Sequence, residues 1–169
     1  MSNVRVKWTD QGWAALKARV MGKASVSVGV LGSASEEQHG DSNATVGEVA
    51  LIQEFGNDHI PARPFVRQAV VWGDHAGLKR IMAKVAKDVL MGTPKSVALA
   101  EAGRWAVRKI RETISSRVFV PNAPSTIERK GHDYTLRDSY QMRNAVNFEI
   151  VRGLFSGFGQ FSNVSDTED

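Results

Sequence analysis

Between residues 8 and 21 the apolar positions Trp13, Leu16 and Val20 recur at helical spacing. Thr9 or Asp10 is placed to cap this helix and Gly22 to end it. Residues 25–31 change period. Ser25, Ser27 and Gly29 alternate strictly with Val26, Val28 and Val30, as in a strand with its valines on one side. Residues 32–43 are polar and partly acidic and are expected to form a loop, a long hairpin or an exposed flap. Thr45 with Glu48 fits a capping box for a short helix over Val46, Val49, Ala50, Ile52 and Gln53, which Gly56 stops. Residues 74–91 place Leu78, Ile81, Met82, Val85, Val89 and Leu90 at helical spacing, with Lys79, Arg80, Lys84 and Lys87 mainly outside. The break at Gly92-Thr93-Pro94 precedes a second long helix over residues 97–118, capped by Thr93 or Ser96. Its core side is Leu99, Ala102, Ala106, Ile110, Thr113 and Ile114. Residues 120–134 are read as irregular, punctuated by Pro121, Pro124 and Gly131. A short helix is expected over 140–144. A strand over 145–151 is expected to pair with 26–31. The fold class is therefore α+β: a small antiparallel sheet packed against several helices, two of them long. Residues 1–152 form one domain. Residues 153–169 are a Gly/Phe-rich arm and an acidic tail whose end is expected to be disordered.

The segment between the two halves is the most specific. Glu54-Phe55-Gly56-Asn57-Asp58-His59-Ile60-Pro61-Ala62-Arg63-Pro64-Phe65-Val66-Arg67 joins a helix end to a new helix through two prolines. Pro61 and Pro64 fix their own φ and push Ile60 and Arg63 towards extended geometry, and Pro64 suits a first helical position. On this reading Phe65 and Val66 pack inward while Arg63 and Arg67 face out. The elbow is then either a rigid, solvent-facing connector or a docking device.

The run 46–67 resembles the bacteriophage neck or tail-completion family, the head–tail joining proteins of long-tailed phages. Its members tend to carry a helix ending in E-F-G, a short polar turn, then I-P-A-R-P-F. Pro124-Ser125-Thr126-Ile127-Glu128-Arg129-Lys130-Gly131, followed by Leu136-Arg137-Asp138-Ser139, is similar to the family's P-x-T-x-x-R-K-G segment before P-L-x-D-T-G-x-L. Here Thr135 replaces the proline, and Ser139-Tyr140 stand where Thr-Gly is usual. The likeness runs in order over residues 5–151. It implies a non-enzymatic virion protein, made in the host cytoplasm. It further implies a ring of six-fold or twelve-fold symmetry in the neck, or at the head-proximal end of the tail, between portal-side connector or adaptor proteins and tail terminator or tail tube proteins. Such a ring surrounds the DNA channel. Its subunit contacts are assigned to Phe55, Ile60, Arg63, Phe65 and Arg67 on one face and Phe155, Phe158 and Phe161 on the other, because closed rings need two different faces. The three phenylalanines equally suit a tail that covers its own core.

Charge and chemistry narrow the alternatives. The chain of 169 residues has a net charge of +4, and its last eight residues hold Asp166, Glu168 and Asp169 without a base. Without them, 22 basic residues face 15 acidic ones, a balance that suits solubility, nucleic acid or an acidic protein surface. Arg104, Arg108 and Arg111 fall at i, i+4 and i+7 on one stripe, either a solvated face or a face towards DNA or an acidic partner. The alternative function is accordingly a small basic nucleic-acid-binding protein. There is no cysteine, which excludes disulfides and fits a reducing place of synthesis. The first residues lack an apolar signal core, and no apolar run reaches the roughly 20 residues a membrane helix needs. His39, His59, His75 and His132 are scattered outside any metal-ligand spacing, and pairs such as His39 with Asp41 or Asp74 with His75 read as solvent-exposed. Glu36, Glu37 and Asp41 are a loop charge run. No G-x-S-x-G occurs, and residues 153–159 lack the lysine of a P-loop. No catalytic residue, metal or cofactor is assigned.

Overall fold

The computed structural model describes residues 12–40, 42–116, 118–137 and 139–152. Seven α-helices and two strands follow in the order α1 (Trp13–Met21), β1 (Ala24–Val30), α2 (Ser33–Glu36), α3 (Val46–Phe55), α4 (His75–Leu90), α5 (Lys95–Ser115), α6 (Pro124–Lys130), α7 (Gln141–Ala145) and β2 (Val146–Arg152), with a π-helical turn at Arg67–Val71 before α4. The arrangement is α+β, as the periodicity predicts.

β1 and β2 pair antiparallel, with Val26 opposite Ile150, Val28 opposite Phe148 and Val30 opposite Val146. Two strands alone are not stable in water. Their apolar face is closed by α5, which contacts both strands and α4. Alanine and glycine on α5 allow a close approach. A Cβ at Gly103 would stand 2.4 Å from Cδ2 of Phe148. One buried cluster joins Val46, Ala50, Phe65, Ile110, Ile114, Met142 and Val146. A second joins Val85, Val89, Ala98, Leu99 and Ala102 beneath Val26 and Ile150.

The helix ends follow local chemistry. Thr45 and Glu48 make the expected capping box, Glu48 N donating to Thr45 Oγ1 (3.2 Å) and Thr45 N to Glu48 Oε2 (2.8 Å). Asp74 caps α4 by accepting from Gly77 N at 2.7 Å. That bond, with Lys109 beside it, holds the Asp74 carboxyl below its ordinary range.

Several expectations need correction. The polar stretch 32–43 contains α2, because Gly32 at φ +61 turns the chain and its carbonyl accepts from Ser35 N and Oγ. Residues 120–134 contain α6, with Pro124 in its first turn and Gly131 left-handed at its end. Both marks were present in the sequence as punctuation. Neither Thr93 nor Ser96 caps α5, since Pro94 occupies the N-cap. Met82, Leu90, Trp13 and Val20 are exposed, so the apolar faces assigned to α4 and α1 are only partly covered. The cap proposed at Thr9 or Asp10 and the loop acid Asp41 lie outside the described residues.

Candidate functional site

The elbow after α3 is built around two buried charged residues, and sequence reasoning missed one of them. Glu54, in the last turn of α3, is 6% exposed. Its Oε2 accepts from Val66 N at 2.8 Å, and its Oε1 accepts from Arg67 N at 3.1 Å and from Arg67 Nε at 2.9 Å. The carboxylate of one helix thus supplies the N-terminal cap of the next helical segment, where free amides and the helix dipole favour an anion. Glu54 stands in the E-F-G run as an ordinary helix residue. Only the two amides waiting twelve and thirteen residues on could have marked it, and folding is needed to bring them there.

Arg63 was expected to face outward. Instead it is buried, 6% exposed. Nε donates to Val120 O and Nη2 to Pro121 O, both at 3.1 Å, and Nη1 donates to Gln53 Oε1 at 2.9 Å. Burial pulls its pKa down from the ordinary value, and the nearby Asp133 opposes that shift. The physical reason for the inversion is carbonyl supply. Residues 120–121 lie in neither helix nor strand, so their carbonyls lack helix or sheet partners, and a guanidinium fork satisfies them. Phe65, also assigned to the contact face, is 1% exposed and belongs to the core.

Backbone turns complete the elbow. Gly56 sits at φ +76, where a Cβ would meet Ala62 N at 2.7 Å and Ile60 O at 2.9 Å. Asn57 Oδ1 accepts from His59 N (2.9 Å) and Ile60 N (2.8 Å), and Arg63 N donates to Gln53 O at 2.6 Å. The chain is therefore folded back on the end of α3 and pinned there.

What the pinned elbow presents outward is aromatic. Phe55, Leu51, Val71 and Trp72 are exposed, Phe55 by 64%. Arg67 lies between two of them, its guanidinium carbon 4.8 Å from the Phe55 ring centre and 5.3 Å from that of Trp72. With Nε on the Glu54 carboxylate and Nη2 on the Glu54 carbonyl, Arg67 holds this step in shape. It is half-exposed, and its Nε and Nη2 are already engaged by Glu54, so the outward-facing Arg67 expected from the sequence is only partly realised. Ile60 lines a separate groove of about 1060 Å³ between the elbow, α6 and α7, shared with Gln53, Pro121, Lys130 and Tyr140.

The arginine stripe is partly realised. Arg104, Arg108 and Arg111 border one shallow depression on α5, joined there by Arg143 of α7. Arg104 and Arg108 are exposed. Arg111 is committed inside the molecule, its Nη2 donating to Asn144 O (3.1 Å) and Val146 O (2.9 Å). Phe155, Phe158 and Phe161 lie outside the described residues.

Among the described residues, two that are not glycine have left-handed backbone: Leu136 at φ +60 and Tyr140 at φ +61. Tyr140 is the residue standing where the resembled motif carries glycine. Among the described residues no three His, Asp or Glu side chains converge as a metal site, and no helix is long and apolar enough to cross a membrane. No family model, curated protein or solved structure matches the chain.

Proposed function

We propose that the protein is a structural subunit of a phage neck, one copy in a ring that joins or completes the head–tail interface around the DNA channel. The observation that carries this reading is the aromatic step of Leu51, Phe55, Val71 and Trp72, exposed on an elbow that internal charges hold rigid. A soluble chain does not keep such a patch exposed on a fixed scaffold without a use, and contact with another protein is the common one. A rigid patch also loses little entropy when it docks. The sequence likeness over residues 46–67 and 124–139 supports the same class. So does Tyr140, whose left-handed backbone is the conformation a glycine at that place in the motif would take.

In this reading the contact is heterologous, with the elbow of one copy meeting a different face of the next, as closed six-fold or twelve-fold rings require. Rings of this kind stack between portal-side connector proteins and tail terminator or tail tube proteins. The exposed Arg104 and Arg108, with Arg143, suit non-specific contact with DNA phosphates in the lumen.

Arg63→Ala is not a clean test, because it removes internal hydrogen bonds. Leu51→Glu with Phe55→Glu is cleaner, since both side chains are exposed. In the phage that encodes the chain, this double variant should fold, yet filled heads and tails should accumulate unjoined. Normal yields of infectious particles would contradict the proposal.

A second reading rests on the same arginine face: a small basic protein that binds nucleic acid as a monomer. It predicts salt-sensitive binding by the isolated chain that Arg104→Ala with Arg108→Ala abolishes, and binding unaffected by changes at Phe55.

A further inference from the structure

The helix that carries the aromatic step also carries the wall of a recess. Leu51 and Phe55 stand on one face of α3, with Glu48 beside them, and the helical turn puts Val49 and Gln53 on the opposite face. Leu51 and Phe55 belong to the step. Val49 and Gln53 line the groove of about 1060 Å³ between the elbow, α6 and α7. Step and groove are therefore set back to back across one helix. The groove exceeds the roughly 300–1,000 Å³ of a small-molecule site, a size that suits a projecting piece of protein.

The walls of the groove are tied to one another. Arg63 bridges Gln53 to the carbonyls of Val120 and Pro121. Gln141 of α7 reaches the chain after α2, its Nε2 donating to Gln38 O at 2.8 Å and its Oε1 accepting from Gly40 N at 3.2 Å. Docking into a recess held this way costs little ordering. Val49, Ile60, Leu136 and Met142 supply apolar lining, and the exposed Arg129 stands at the edge. Among the described residues, no Asp or Glu lines the groove. The step has the opposite balance. Residues 24–62 hold Glu36, Glu37, Asp41, Glu48, Glu54 and Asp58 and no Lys or Arg. Arg67, which stacks within the step, is paired with Glu54. An apolar projection with an acidic edge thus matches an apolar recess with a basic one.

We propose that the groove of one copy receives the aromatic step of the next, Phe55 and Trp72 entering it with the Glu48 edge towards Arg129. This names the second face that a heterologous contact requires, and it rests on the ring reading above. Because step and groove point apart on one rigid elbow, a pair of copies leaves one step and one groove open. The contact then propagates in one direction until a ring closes.

Mixing two variants of the full chain tests it by light scattering. Leu51→Glu with Phe55→Glu spoils the step and keeps the groove. Ala123→Glu with Arg129→Glu, at two exposed positions, spoils the groove and keeps the step. Each variant should stay monomeric where the parent forms rings. Their equimolar mixture should give a one-to-one pair, twice the 18.5 kDa of a single chain, and grow no further. Arg129→Glu alone, which leaves the N-cap of α6 untouched, should weaken association of the chain about tenfold. Rings that persist in the groove variant overturn the proposal and leave the ring reading standing, because the step then docks elsewhere. Unchanged association in Arg129→Glu, or a mixture that stays monomeric, also overturns it. A parent that never associates overturns the ring reading and this inference together.

Discussion

Arg63 shows how far one side chain can invert its expected role. Its position beside Pro64 in a polar, charged elbow argued for an outward guanidinium, but three internal acceptors hold it. Arg63→Ala should destabilise the fold by about 2–4 kcal/mol, since it strands buried carbonyls and opens a cavity. Arg63→Lys should recover only part of that, because one ammonium cannot span the fork. Urea denaturation reads both, and an Arg63→Ala midpoint equal to wild type would refute the internal role. Tyr140 gives a second residue-scale test. At φ +61, Tyr140→Val should cost about 1–2 kcal/mol, because a β-branched residue resists this conformation. Tyr140→Gly should unfold at least as late as Tyr140→Val in the same thermal scan, and the reverse order would contradict the left-handed assignment. Of these two residues only the glycine-like slot at 140 was hinted at in the sequence, as a departure from the resembled motif. The burial of Arg63 depends on carbonyls 57 and 58 positions away, which no local pattern contains.

Among the elements, α3, α4, α5 and both strands were legible because each carries a strong period and a cap or breaker. Thr45 with Glu48, Gly56, and the valine alternation of β1 are examples. α2 and α6 were missed because four and seven residues are too few to show a period, leaving only punctuation to mark them. The closeness of α5 to the sheet was not legible either. Gly103 looks like an ordinary weak point in a helix, where alanine is normally better by about 1 kcal/mol. Here the Phe148 ring fills the place of its side chain. Gly103→Ala should therefore destabilise by about 1–3 kcal/mol through overpacking, against the sign that helix propensity gives. A stabilised variant in thermal melts would show that β2 does not pack on α5 this closely.

At the scale of the molecule, the covered and uncovered surfaces carry the functional argument. The elbow places Phe55 and Trp72 outward on either side of Arg67, while Glu54 and Arg63 lock the turn from within. Sequence reasoning singled out this segment but turned Arg63 outward: the arginines build the step, and the exposed aromatic and aliphatic groups beside them form its surface. Phe55 was in the assigned face, whereas Leu51, Val71 and Trp72 were not. Their exposure follows from how the elbow folds the chain back on the end of α3, a tertiary fact. We propose that this step binds another copy of the chain. The most direct test is the mass of the purified protein by light scattering across rising concentration, with particle images from electron microscopy. Closed rings of the 18.5 kDa chain should form, and Leu51→Glu with Phe55→Glu should return the mass to that of a folded monomer. A parent chain that stays monomeric at the highest concentration, or rings that persist in the double variant, would contradict it.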